Sequence, residues 1–254
     1  MVNWREKFRA FTIHFLVTAV LAAAAAALIF AVWFPPPFAT LVRGTELFVL
    51  VVGCDLALGP LISLVIYDSR KTRRALITDY TLFGAVQLAA LVYGVYVVAG
   101  TRPVYLAFSG DRFEVVVARD INPRELQAAR TPEYRTLPLA HLRLVAVSVP
   151  AADHNDALFE ELKGNEQHER PKFYVPFESA LDDIRAHAGR LADLEKKYPA
   201  YAPLLESAAK SVSTPPQQLR WLPLRYHTKF WTALIDTADG RPVAYAPVDP
   251  YGES

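Results

Sequence analysis

Three apolar runs, residues 11–33, 47–67 and 80–99, constrain this chain more than anything else in it. Each reaches the roughly 20 residues that a bilayer-crossing helix needs. In lipid the backbone must satisfy its own hydrogen bonds, so each run is expected to be helical. The second run carries a carboxylate at its centre, in Gly53-Cys-Asp-Leu-Ala-Leu-Gly-Pro-Leu61. A charge at that depth costs roughly 2.5–3.5 kcal/mol on insertion scales unless it is paired, hydrated or neutralised. Asp55 therefore requires an explanation. Gly59-Pro60 lies one turn further on and is expected to kink the helix, because proline removes a backbone hydrogen bond.

Basic residues set the expected orientation. Arg5, Lys7 and Arg9 precede the first run, and Arg70, Lys71, Arg73 and Arg74 lie between the second and third; the opposite loop has only Arg43. The positive-inside rule puts the N-terminus and the 68–79 loop in the cytoplasm. Three crossings then carry the remainder to the far side, which in a bacterium is the periplasm. The first run also has the basic start and the small residues (22–27) of a cleavable signal peptide. Its apolar character continues through Trp33, which favours an uncleaved anchor. Trp33-Phe34 and then Pro35-Pro36-Pro37 read as an interfacial aromatic girdle and a rigid exit.

The expected architecture is a membrane α-helical part of three transmembrane helices (residues 1–100) and a periplasmic α+β domain (101–254). In the second part, residues 102–118 read as two strands around Ser109-Gly110-Asp111. Asn122-Pro123 looks like a helix cap. Residues 142–149 read as a strand, 156–162 as a short helix and 163–172 as a polar loop. Apolar spacings of three and four predict one long helix over 179–198, followed by another over 202–211. Strands are expected over 221–226, 229–235 and 242–246, with a hairpin at Asp239-Gly240 and a loose tail over 247–254. Strands, helices, then strands suggest an antiparallel sheet with helices on one face.

The net charge of +1 comes without a basic stripe, so nucleic acid is not an expected partner. The single cysteine, Cys54, lies in the second run, which excludes a disulfide or thiolate metal site in the polar half. His141, His154, His168, His187 and His227 show no helical ligand spacing and read as solvated. Adjacent pairs such as Glu160-Glu161 and Asp182-Asp183 point about 100° apart on a helix, so they do not make a shared acid–base site. No nucleophile elbow or phosphate-binding glycine loop is present. No metal or cofactor is expected. Asp55 has three readings: a structural group that fixes helix packing, a contact for a partner helix, or a catalytic acid. His14 and Gln87 are the other strongly polar side chains of the runs, and Gln87 is the better placed to meet Asp55. Gly84 and Gly94 would permit close helix approach.

Several segments, in order along nearly the whole chain, resemble type IV pilin accessory proteins of the TfpX/TfpZ type. They are Trp33-Phe-Pro-Pro-Pro-Phe38, the Asp55 segment with Lys71 beyond it, Gln87 and Tyr93-Gly94. Further on they include Arg102-Pro-Val-Tyr-Leu-Ala-Phe108, Asp111-Arg-Phe-Glu-Val-Val116, Leu222-Pro-Leu224 and Trp231-Thr-Ala-Leu-Ile-Asp236. The resemblance implies an inner-membrane protein without catalytic activity that helps a cognate major pilin assemble, beside the pilus assembly machinery and membrane lipids. Asp55, Gly59, Pro60, Gln87, Arg102, Tyr105, Asp111 and Arg112 are the expected partner-binding residues. Two alternatives stand: an extracytoplasmic ligand sensor acting through a separate partner, and a membrane enzyme acting on lipid or pilin around Asp55 or Arg102, Asp111 and Arg112. Those last three read otherwise as salt-bridging residues near the membrane.

Overall fold

The computed structural model describes residues 4–68 and 70–252, which divide into two compact units, 1–102 and 103–254. In the first, α1 (Trp4–Leu28) continues as a π-helical turn, Ile29–Trp33, and a single turn, α2 (Phe38–Leu41), leads into α3 (Gly44–Ile66). Helix α4 spans Arg73–Gly100. Three helices, Trp4–Trp33, Gly44–Ile66 and Arg73–Gly100, are long and apolar enough to cross a membrane. Their surfaces fit lipid rather than water: Val49, Leu50, Val65, Leu82, Val86 and Tyr96 are all more than half exposed. The expected 68–79 loop is mostly helix, because Thr72 Oγ1 accepts the Ala75 N–H at 3.3 Å and starts α4 at Arg73. Helix α3 is continuous through Pro60, which is buried.

Helix α3 packs against both α1 and α4. Gly94 supplies the close approach to α3, since a Cβ there would collide with Val51 Cγ1; at Gly84 a Cβ would meet nothing within 4 Å. Gly94→Leu is therefore expected to cost about 1–3 kcal/mol by overpacking. A thermal melt in detergent should show a lowered midpoint for Gly94→Leu and an unchanged one for Gly84→Ala. Equal midpoints for the two variants would refute the close contact.

The second unit is built on an eight-stranded sheet. Strands β1 (Pro103–Ser109) and β2 (Arg112–Val117) form the central hairpin. Gly110, with φ +66°, gives the positive φ that its two-residue turn requires. Asn122 Oδ1 caps α5 (Pro123–Gln127) through the Arg124 N–H. Strand β3 (Arg143–Val147) precedes α6 (His154–Leu162), β4 (Tyr174–Pro176), α7 (Leu181–His187), β5 (Gly189–Arg190), α8 (Leu191–Lys197) and α9 (Ala202–Lys210). Strands β6 (Leu219–Tyr226), β7 (Lys229–Asp236) and β8 (Pro242–Ala246) complete the order β4-β3-β1-β2-β6-β7-β8, with β5 on β6.

The sheet is mixed, which corrects the antiparallel expectation. Strand β1 runs parallel to β3, and β2 parallel to β6, because long crossovers separate these partners in the chain. Strands β1 and β2 are also buried on both faces, so the expected one-sided sheet does not hold at its centre. Tyr105 sits in one core cluster with Tyr134 and Tyr174, its ring edge-on to Tyr174 at 4.9 Å. Phe108 and Phe113 meet at 5.7 Å, and Phe113 stacks on Phe177 at 6.3 Å. Helices α8 and α9 pack Leu194 and Leu205 against Ala246 and Val248.

Two further expectations are corrected. The single helix over 179–198 is broken at Ala188, whose extended backbone (ψ 117°) leads into β5. Gly189 there lies against the Trp221 ring, where a Cβ would come within 2.5 Å of the indole nitrogen. Cross-strand pairing with β6 overrides the helical periodicity. The expected loose tail is docked through residue 252: Thr232 donates to the Val248 carbonyl at 2.7 Å, Tyr198 to that of Pro250 at 3.1 Å, and Tyr251 packs edge-on to Phe230. Glu253 and Ser254 lie outside the described residues.

Candidate functional site

Helices α1, α3 and α4 bring polar side chains together among their apolar ones. His14 Nε2 and Gln87 Oε1 are 2.9 Å apart, and Gln87 Nε2 donates to Thr18 Oγ1 at 3.4 Å. The Asp55 carboxyl lies beside Gln87 and near His14. Gly59 makes room for this arrangement, since a Cβ there would stand 2.6 Å from Gln87 Nε2. Gln87 is the hub, reaching all three helices, and His14 joins the cluster despite its place nearer the start of α1. His14 Nδ1 is buried with no hydrogen-bond partner among the described residues.

A cavity of about 150 Å³ opens against this cluster, lined by His14, Thr18, Asp55, Gly84 and Gln87 and otherwise by aliphatic side chains such as Val52 and Leu91. Apolar cavities of about that size admit a guest as large as benzene. Hydrogen bonds between membrane helices are worth about 0.6 kcal/mol on average, so the cluster alone does little for stability. Its arrangement suits recognition of one polar side chain carried on an apolar helix.

The other expected site residues are dispersed. Pro60 is buried one residue past Gly59 on α3. Arg102 donates to the Ala99 carbonyl at 2.7 Å and stacks over the Trp33 ring, closing the end of α4. Tyr105 is fully buried in the core and presents no surface to a partner. Asp111 and Arg112 pair at 2.8 Å on the rim of a separate cleft of about 230 Å³.

That cleft holds charges that local sequence patterns did not single out. Glu114, only 3% exposed in the middle of β2, accepts Arg225 Nε at 2.8 Å on both carboxylate oxygens across the parallel β2–β6 pair. Arg225 also pairs with Glu166, which lies 3.5 Å from His168 Nδ1. Burial pushes the Glu114 carboxyl up to about 7, against the opposing pull of Arg225. Burial also takes His168 down to about 4; this histidine, expected to be solvated, is buried. Glu169 is raised to about 7 by burial and by the nearby Asp120 and Glu166 carboxylates. The one available sequence signal was Glu114 itself, a charge inside an otherwise apolar strand; its partner lies 111 residues away. Among the described residues no group of three or more His, Cys, Asp or Glu side chains is placed to hold a metal ion.

A membrane-helix unit with an intramembrane polar cluster, followed by an α+β unit, is the setting for the comparisons with known proteins. The family model described as "Fimbrial assembly protein FimB" matches residues 2–43, which cover α1 and α2. The "Fimbrial assembly protein, serogroup I" of Dichelobacter nodosus is 34% identical over 182 residues, 71% of this chain and 70% of the relative. The serogroup E1 protein of that organism matches to the same extent, and its serogroups C1 and C2 protein is 36% identical over 117 residues, 46% of this chain and 89% of the relative. No solved structure matches the chain at a significant level. The chain belongs to the fimbrial assembly protein family, and its role is in pilus assembly.

Proposed function

We propose that this protein is an inner-membrane helper that holds the cognate major pilin before assembly, without catalysing a reaction on it. The N-terminus lies in the cytoplasm and residues 103–252 lie in the periplasm. The α1–α3–α4 cavity takes a polar side chain or terminal group of the pilin's membrane helix, and the periplasmic unit meets the pilin head. The observation that carries this reading is the cavity of about 150 Å³ beside Asp55, Gln87 and the unpartnered His14 Nδ1. A buried polar group with no partner inside a membrane unit calls for a complementary group from outside it. The seven basic residues at the starts of α1 and α4 and just before α4 support the orientation.

The test is photocrosslinking in cells from Val52, on the cavity wall, and from Gly110, at the tip of the β1–β2 hairpin. Pilin adducts from both positions are expected. Adducts with other assembly proteins alone would replace pilin holding with regulation of the assembly machinery. Asp55→Asn is expected to lower the Val52 adduct and surface piliation roughly tenfold, the equivalent of about 1.4 kcal/mol, at unchanged protein level. Normal piliation in that variant would remove Asp55 from the mechanism.

A further inference from the structure

Helix α6 turns Ala157 inward and leaves Leu158, Phe159 and Leu162 in solvent, 57%, 64% and 77% exposed. Leu158 and Leu162 are one turn apart, and Glu161, at i+3 from Leu158, flanks that stripe on the side away from Phe159. Single exposed apolar side chains are ordinary, whereas a contiguous group on one helix marks a contact surface.

The charges around α6 define what that contact is. Asp153 pairs with Arg130 at 2.8 Å, Asp156 with Arg170 and Lys172 at 2.8 Å each, and Glu160 with Lys163 at 2.6 Å. Glu161 has no cation among the described residues and accepts only Gln167 Nε2, at 3.0 Å. The carboxylate left without a cation is thus the one that stands between the apolar stripe and the cleft. Glu161 also lines the cleft of about 230 Å³ together with Asp111, Glu114 and Glu166, whose cations, Arg112 and Arg225, are already shared among those three carboxylates. With burial drawing Glu114 towards its neutral form, Arg112 and Arg225 offset Asp111 and Glu166, and Glu161 is the uncompensated carboxylate between the apolar ledge and the hollow. An anionic lipid surface would be repelled there, and a protein cation would be attracted.

We propose that α6 and this cleft form a docking surface for a partner-protein segment that carries a lysine or arginine flanked by apolar side chains. The cation meets Glu161 at the cleft mouth, and the apolar neighbours cover Leu158, Phe159 and Leu162. The surface is distinct from the intramembrane cavity and does not depend on pilin being the partner.

The test places a photoreactive residue at Phe159 or Leu162 of the full-length chain in piliated cells and sequences the crosslinked peptides by mass spectrometry. A protein segment with a lysine or arginine within about three residues of the crosslink is expected, about one turn of helix. Glu161→Lys should lower its yield at least about tenfold, and a partner variant with that basic residue changed to glutamate should restore it. Adducts with lipid alone, adducts with segments lacking a basic residue, or a yield unmoved by Glu161→Lys would overturn the proposal. So would the absence of adducts from a chain that remains folded by protease resistance. A matching segment from a protein other than pilin would uphold the surface, and the pilin-holding reading would still stand or fall on the Val52 and Gly110 crosslinks.

Discussion

Glu114→Gln is expected to stabilise the 103–252 unit at pH 8 and to leave its stability unchanged at pH 4.5. The sign follows from linkage. The carboxyl is raised from 4.5 in the unfolded chain to about 7 in the folded one. Between those values the folded state holds a proton that the unfolded state releases. Stability is therefore fully present below pH 4.5 and is lost as pH rises through 7. At 1.36 kcal/mol per pH unit, the interval amounts to about 3 kcal/mol above pH 7. Glutamine removes that loss and keeps an acceptor for Arg225 Nε, and the pull of Arg225 on the ionised carboxylate is already contained in the folded value. A gain of about 3 kcal/mol is expected above pH 7. This agrees with the general behaviour of buried ion pairs, in which desolvation can exceed the Coulombic gain. His168 acts in the opposite sense: it is depressed to about 4, so stability is lost as pH falls from 6.5 towards 4. It is common to both proteins and cancels in the difference. Urea unfolding of the full-length proteins in detergent, from pH 4.5 to 8, gives that difference directly. A pH-independent difference, or a destabilised variant at pH 8, would show that Glu114 folds ionised.

Tyr105→Ala is expected to destabilise the same unit by about 3–5 kcal/mol, the usual range for deleting a buried aromatic ring. The side chain is 0% exposed, lies edge-on to Tyr174 at 4.9 Å and to Tyr134 at 6.4 Å, and sits on a strand covered on both faces. Its hydroxyl donates to the Thr136 carbonyl at 3.3 Å, a long bond whose loss in Tyr105→Phe should cost no more than about 1 kcal/mol. The pair of variants separates packing from contact. Tyr105→Ala should lower the unfolding midpoint and the amount of protein in cells, while Tyr105→Phe should preserve both, along with piliation. A Tyr105→Phe chain that is stable but fails in pilus assembly would restore this residue as a functional contact.

What the sequence made legible was what local chemistry decides. The three apolar runs became helices because the bilayer leaves the backbone no alternative, and Asn122-Pro123 and Asp239-Gly240 marked their cap and turn for reasons confined to a few residues. The long helix over 179–198 failed because its periodicity says nothing about Trp221, 32 positions beyond Gly189, which makes Gly189 a strand residue. The parallel pairings were hidden for the same reason, since period-two alternation identifies a strand but not its neighbour. The intramembrane cluster was partly legible. Asp55 stood out by its cost in lipid and Gln87 by its depth, but membership of His14 depended on helix packing. The Glu114–Arg225 pair was hidden except for the charge inside its strand, and His168 looked like any surface histidine until the cleft around it was in place.

The parallel pairing of β2 with β6 has a consequence for synthesis. Phe113 and Leu224 are register partners, yet over a hundred residues lie between their strands. Loop closure over such a distance is slow, and the sheet centre depends on it. Until β6 is made and threaded into place, β2 presents a bare, apolar edge able to pair with any extended chain nearby. Termination between residues 118 and 219 therefore yields an aggregation-prone fragment rather than a smaller stable domain.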